Sequence, residues 1–487
     1  MGEHILVLDA GTTSTRAMIF APDGTMLDVA QKDLTQHYPK PGWVEHDAAE
    51  IWDKTLACAR EVVGGDAGRI AAIGITNQRE TVVAWDRTTG EPLTRAIVWQ
   101  DRRTAEFCAG MKEYGHEAEV QKRTGLLLDP YFSGTKMRWL LDNDEGVRAA
   151  AAQGTLAFGT VESWLVFKLS GGAHLSDASN ASRTLLLALD GAQFDEDMCE
   201  LFGVPRTTLP EVVDTHGRLA ECDADLLGAA IPICGLAGDQ QSATIGQGCL
   251  AFGETKATYG TGAFVLTNKG RDIPHSDHRL LGTVLYQENG TRTYAIEGAC
   301  FVAGSLVQYL RDQLGLIGNA AETEELARSI EDSGEVVIVP ALAGLGAPHW
   351  LPDARGVISG LSFASGRAQI ARAALEAMAH QTHDLDSAFE ADGAPWSGLR
   401  IDGGMSANDW MAQDLADILD LPVERPDFIE TTALGAAILA AVGCGMHDTL
   451  ESAAHAMRGK AKVFEPDMEG PVREARLARY AKALAAV

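Results

Sequence analysis

Near the start of the chain, Leu6-Val7-Leu8-Asp9-Ala10-Gly11-Thr12-Thr13-Ser14-Thr15-Arg16 sets a carboxylate, a glycine, a run of hydroxyls and a guanidinium between apolar segments. The backbone N–H groups of such a turn, with the Thr12 and Thr13 hydroxyls, can cradle a phosphate. Asp9 can then hold Mg²⁺, and Arg16 can meet a terminal phosphate. No Gly-Lys-Ser/Thr and no GxGxxG opening a helix is present here, so the two commonest nucleotide loops are excluded. A plain hairpin with surface threonines accounts for the same residues equally well.

A second carboxylate of interest is Asp239, in Leu236-Ala237-Gly238-Asp239-Gln240-Gln241, where an apolar run ends and a helix is predicted. There it can accept the proton of an attacking hydroxyl, or cap the helix, or do both. Thr76-Asn77-Gln78-Arg79-Glu80-Thr81 breaks a β-type run with consecutive polar groups. By itself that stretch reads as a solvated turn with a weak surface ion pair; beside a ligand it offers donors and an acceptor to a polyol. Gly304 and Gln308 lie one helical turn apart, and Gly404 and Asn408 follow a predicted strand. Each pair suits either close approach of a nucleoside or ordinary packing and capping.

The elements that must position these residues are mixed. Apolar runs and turn signals over the first 35 residues predict a meander of antiparallel strands. Residues 70–76, 82–86 and 96–99 are strand-like, and residues 48–63 are helix-like. The apolar run 433–446 is short of the roughly 20 residues that a spanning helix needs and reads as a buried helix of small residues. Around Tyr259-Gly260-Thr261-Gly262 the opening strand–turn–strand pattern returns, so the chain is expected to be α/β and internally duplicated, with a boundary near residue 250. The final 30 residues, charged and alanine-rich, predict helix.

With 487 residues the chain is too long for one ordinary core. Its 40 basic and 68 acidic residues, a formal charge of −28, argue against a nucleic-acid or anionic-membrane surface. The eight cysteines show no CxxC pair and no metal spacing, which points to reduced thiols and a cytoplasmic protein. No basic n-region precedes the first apolar run, so no signal peptide and no integral membrane segment are expected.

In their order along the chain, these pieces resemble the FGGY carbohydrate kinases. Two longer stretches are similar to that family's signatures: Tyr131-Phe132-Ser133-Gly134-Thr135-Lys136-Met137-Arg138-Trp139 continuing to Asn143, and Gly356-Val357-Ile358-Ser359-Gly360-Leu361 continuing through Gln369 to Glu376. PGWVEHD (41–47), TNQRET (76–81) and GLGAPHW (344–350) look like the glycerol-phosphorylating branch rather than the xylulose or gluconate kinases. The resemblance implies two ribonuclease H-like domains of the actin, hexokinase and Hsp70 superfamily flanking an ATP cleft, residues 1–250 and 251–487. It further implies that Arg79, Glu80, Tyr131, Asp239 and Gln240 hydrogen-bond glycerol, with Trp99 and Phe264 against its carbons and Asp239 as general base. Thr12, Thr13, Ser14, Arg16, Thr261, Gly304, Gln308, Gly404 and Asn408 would contact ATP, and Asp9 would serve Mg²⁺. A homo-oligomer, dimer or tetramer, is also implied. Residues 223–231 carry acids and no arginine where relatives bind fructose 1,6-bisphosphate, so that inhibition is expected to be absent. Residues 219–235 hold no histidine for phosphohistidine activation. An FGGY kinase for another small polyol or ketose is the nearest alternative.

Overall fold

The computed structural model describes residues 2–351 and 353–487. The predicted meander is present as β1 (His4–Ala10), β2 (Ser14–Phe20) and β3 (Met26–Asp33), paired antiparallel in sequence order. The next apolar run forms β4 (Ile70–Asn77), parallel to β1; β5 (His216–Cys222) and β6 (Ile231–Gly238) complete a six-stranded sheet of order β5-β6-β4-β1-β2-β3. The central strands β1 and β4 are buried on both faces, which is why they read as unbroken apolar runs. Helix α1 (Ala48–Val63) covers β2 and β3. Its ends follow from sequence: the Asp47 carboxylate accepts from the N–H groups of Ala49 and Glu50, and Gly64 closes it in a left-handed conformation. The stretch 96–99 is strand only at Ala96–Ile97, a two-residue pairing with Glu45–His46.

The second half repeats the plan. Strands β7 (Glu254–Tyr259), β8 (Ala263–Gly270), β9 (Leu281–Glu288), β10 (Thr291–Cys300), β11 (Gly398–Asp402), β12 (Val423–Pro426) and β13 (Ala461–Phe464) form a sheet of order β9-β10-β8-β7-β11-β12-β13. In both sheets a hairpin with a Gly-Thr turn, β1–β2 and β7–β8, has a parallel neighbour on its first strand, β4 and β11. The echo between residues 6–20 and 255–267 is therefore one of topology as well as of sequence.

Five further helices bear on the site: α2 (Ser133–Asn143), α3 (Asp239–Gly246), α4 (Gly304–Asp312), α5 (Asp409–Leu419) and α6 (Thr431–Gly443); of the final 30 residues expected to be helix, only α7 (Gly470–Leu484) is, since 461–464 pairs as strand β13. The apolar helix α6 does not stay with the second sheet. It lies on β1, β4 and β6 of the first and crosses α3. Small residues make that possible: a Cβ on Gly74 would stand 2.3 Å from the Ala436 carbonyl, and one on Gly435 would stand 1.8 Å from the carbonyl of Ser242. Alanine at 435 would ordinarily favour a helix by about 1 kcal/mol. Here Gly435→Ala is expected to destabilise the protein by about 1–3 kcal/mol through overpacking. Thermal melting checks it, and a midpoint at or above the parent's would refute the close crossing.

All eight cysteines are free and seven are buried. Among the described residues no helix is long and apolar enough to cross a membrane.

Candidate active site

Strand β4 ends at Asn77, and the chain then turns through Gln78-Arg79-Glu80-Thr81 before re-entering a strand at Val83. This break is not the solvated turn that its polar sequence suggests by itself: all four residues are buried, Arg79 to 2 % exposure. A buried guanidinium needs partners, and Arg79 has them on every side. Nη1 donates to Glu297 Oε2 at 2.6 Å, and Nη2 donates to Glu297 Oε1 at 3.2 Å and to the Tyr131 hydroxyl at 3.4 Å. Nε stands 3.3 Å from Asp239 Oδ1 and 3.7 Å from Glu80 Oε1. Arg183, fully buried, donates from Nε to Glu80 Oε1 at 2.7 Å and from Nη2 to Glu297 Oε1 at 3.0 Å. Arg79, Glu297, Arg183 and Glu80 thus form a closed ring of alternating charge. Burial alone would raise the Glu297 carboxyl, but Arg183 and Arg79 outweigh it and hold it down at about 2.

Asp239 opens α3 where β6 ends. The cap position belongs to Gly238, and Asp239 Oδ1 accepts only the adjacent Gln240 N–H, at 2.7 Å, so the carboxylate is not spent on capping. Gly238 is glycine for space: a Cβ there would meet the Arg79 side chain at 2.7 Å. About a third of the Asp239 side chain, 34 %, is exposed. Burial pushes its carboxyl up to about 6 against the pull of Arg79, with Glu80 adding to the rise and Lys256 opposing it. A carboxylate tuned toward neutrality and partly exposed is suited to accept a proton.

Tyr131 is positioned by the first signature stretch. Lys136, fully buried on α2, donates from Nζ to the carbonyls of Tyr131 at 2.5 Å, Phe132 at 3.2 Å and Glu80 at 3.5 Å. Ser133 Oγ donates to the same Glu80 carbonyl at 3.1 Å. Glu80 needs this support because its φ of 61° is left-handed, a strain of order 1–3 kcal/mol for a non-glycine residue. The Trp99 ring meets Tyr131 edge-on, with centroids 5.6 Å apart, and its indole N–H donates to Thr12 Oγ1 at 3.0 Å. That bond joins the polar corner to the β1–β2 turn.

In the turn itself, Asp9 and Arg16 face each other across the β1–β2 pair, Arg16 Nη2 donating to Asp9 Oδ2 at 2.5 Å. Arg16 Nη1 donates to Glu430 Oε2 at 2.6 Å, just before α6. Burial raises the Asp9 carboxyl, and Arg16 partly offsets the rise. Thr12, Thr13 and Ser14 complete the turn, with Thr13 exposed. On the second sheet, strand register places Lys256, Thr258, Phe264 and Glu297 on one face. Lys256 Nζ donates to Gln240 Oε1 at 2.6 Å and so fixes that amide.

The second-half positions are more loosely grouped. Gly304 packs against the Gly260 carbonyl, which a Cβ would approach to 2.6 Å, and the Thr261 carbonyl accepts from the N–H groups of Ala303 and Ser305. Gln308 is exposed one turn further along α4. Gly404 is open, with nothing within 4 Å of a Cβ, while Asn408 caps α5 through the Met411 N–H at 2.9 Å. Met405, next to Gly404, comes to 3.1 Å of a Cβ placed at Gly304, which draws the two sets together.

Residues 4–246 match the N-terminal domain of the FGGY family of carbohydrate kinases, and residues 255–444 match its C-terminal domain. The chain belongs to the FGGY family of carbohydrate kinases. A glycerol kinase of Methylobacterium nodulans is 52% identical over 492 residues, covering 99% of this chain and 98% of that protein. One from Rhodospirillum rubrum is 52% identical over 485 residues, with coverage of 99% and 98%. The crystal structure of Plasmodium falciparum glycerol kinase with ADP superposes with a TM-score of 0.95 at 35% identity, over 100% of this chain and 99% of that one.

In this FGGY kinase the two-domain α/β architecture implied by the sequence is the one present. Its candidate site also holds charged residues that the sequence reading passed over: Arg183, Glu297, Lys256, Lys136 and Glu430. Glu297 in TYAIEGACF is flanked only by apolar, small or neutral residues, and Lys256 in ETKATYG lies inside a largely buried strand. A charge in such a run must find a buried partner, and that was the available signal.

Proposed function

We propose that this FGGY kinase transfers the γ-phosphoryl group of ATP to a terminal hydroxyl of glycerol, giving sn-glycerol 3-phosphate and ADP. The observation that carries the reading is the convergence of Arg79, Glu80, Tyr131 and Asp239 in one buried corner. Full-length likeness to glycerol kinases supports it. Glycerol is strongly hydrated, and an unmatched polar group costs roughly 1–3 kcal/mol, so a site for it must replace water with fixed donors and acceptors. Arg79 donates, Glu80 accepts, Tyr131 can do either, and Gln240 adds an amide. Trp99 and Phe264 supply the apolar wall that excludes water.

As the hydroxyl oxygen attacks phosphorus, Asp239 takes its proton. The new O–P bond forms, the bond from γ-phosphorus to the β–γ bridging oxygen breaks, and ADP leaves with that electron pair. The β1–β2 turn, through Thr12, Thr13, Ser14 and Arg16, holds the phosphates; Thr261, Gly304, Gln308, Gly404 and Asn408 serve the remainder of the nucleotide. On this reading residues 1–250 carry the glycerol site, the base and the phosphate loop, and residues 251–487 carry the nucleotide site.

Asp9 is buried, and its carboxylate shares Arg16 with Glu430, a donor set that fits the one or two carboxylates usual for Mg²⁺ bound beside phosphates. Held there, Mg²⁺ would supply positive charge to offset the negative charge of the phosphates. Eight free cysteines suit a reducing cytoplasm.

A coupled assay of ADP release with Mg-ATP and glycerol, dihydroxyacetone, erythritol or xylulose tests the proposal. Glycerol is expected to give the highest kcat/KM. A preference for xylulose or erythritol would overturn it in favour of another polyol or ketose.

A further inference from the structure

The three carboxylates around Arg79 do not share it equally. Its two terminal nitrogens both donate to Glu297, the closer contact being 2.6 Å, while Asp239 is approached from Nε, at 3.3 Å. Glu297 stands on β10 of the second sheet, whereas Arg79, Glu80, Arg183 and Asp239 all belong to the first half of the chain. We propose that Glu297 is a positioning residue for the transfer reaction: by holding both terminal nitrogens of Arg79 it keeps that guanidinium from closing on Asp239, leaving the Asp239 carboxylate free to take the substrate proton. The inference rests on the reading of Asp239 as the base.

The physical argument is one of competition for a single cation. An Arg⁺ directly paired with a carboxylate makes it a much weaker base, by about 1–3 pH units. The charged groups facing Asp239 are Arg79, Glu80 and Lys256, and the Gln240 N–H donates to it. Lys256 is engaged by Gln240 Oε1 at 2.6 Å and Thr258 Oγ1 at 2.9 Å, and Glu80 by Arg183 at 2.7 Å. Of the two cations facing Asp239, Arg79 is the one that Glu297 binds directly. Glu297 is itself held well ionised by Arg183 and Arg79, so it performs this task across the whole neutral range. Its coming from the second sheet means that the basicity of Asp239 depends on the two sheets being in register with each other.

The test is the pH profile of kcat/KM for glycerol at one saturating level of Mg-ATP, which reports the enzyme–Mg-ATP form that glycerol meets. In the parent, activity is expected to fall as pH drops through about 6, where the Asp239 carboxyl titrates. In Glu297→Gln, which keeps the shape and removes the charge, that acidic limb is expected to move down by about 1 unit or more, with a lower plateau. Glu297→Asp retains the charge but withdraws it by one methylene, and should move the limb in the same direction by less; it decides the matter if the Gln variant does not fold. A loss of activity with the limb unmoved in the folded variants would make Glu297 merely structural and overturn the inference. Asp239→Asn separates the two readings: if that variant keeps its activity the base assignment fails, and if it is inactive while the limb stays put, only the role of Glu297 fails.

Discussion

Asp239→Asn is expected to lower glycerol-dependent ADP release by about 10²- to 10⁴-fold, the usual contribution of a general base. The change is nearly isosteric, and the amide oxygen can still accept the Gln240 N–H that Oδ1 accepts at 2.7 Å, so the start of α3 should stand unchanged. What is lost is the capacity to take a proton. The parent carboxyl, pushed up to about 6 by burial, must be ionised to act, so parent activity should decline below that pH. Stability should move the other way. An Asp whose folded value lies above its unfolded value of about 3.9 is penalised when ionised, and the penalty is present at neutral pH and relieved as pH falls through about 6. The Asn variant lacks that penalty and is expected to melt at or above the parent temperature at pH 7. An Asn variant with more than about a tenth of parent turnover would remove Asp239 from the reaction, since even the lower bound for a general base is larger.

Arg79→Met should damage both stability and activity. Arg79 is the centre of the charged ring, and its loss leaves Glu297 with Arg183 alone and brings Glu80 and Asp239 together without the cation between them. Removing one partner of a buried pair costs about 3–5 kcal/mol, because the remaining charge is left uncompensated. A large drop in the denaturation midpoint and a loss of glycerol saturation are expected together. Arg79→Lys should recover little, since an ammonium cannot reach Glu297 through two nitrogens while a third faces Asp239. Chemical denaturation and glycerol titration of both variants check this. A Met variant as stable as the parent would mean that the ring contributes nothing to holding the two halves together.

Much of the frame was legible in the chain itself. Alternating apolar runs and Gly-Thr turns announced β1–β2 and β7–β8, because a hairpin needs only local signals: a period of two and a turn residue. The helix at 48–63 was equally plain, since Asp47 and Gly64 mark its ends chemically. The run at 433–446 was readable as a buried helix of small residues, though not for what it packs against. Only in three dimensions do Gly74 and Gly435 meet backbone carbonyls across the halves.

The candidate site divided along the same line. Asp9, Arg79, Glu80 and Asp239 stood out because polar groups at the ends of apolar runs are visible locally. TNQRET taken alone read as a surface turn, and the structure buries it, because the partners of Arg79 lie on segments 52 to 218 residues away. By itself the sequence determined the elements, the family resemblance and the residue types at the ends of the strands, all of which follow from local periodicity and turn chemistry. Tertiary structure alone decided that Glu297 and Arg183 share the buried corner with Arg79, and how one cation is apportioned among several acids. Charge interactions depend on distance and burial, and neither is written in the spacing of residues along a chain.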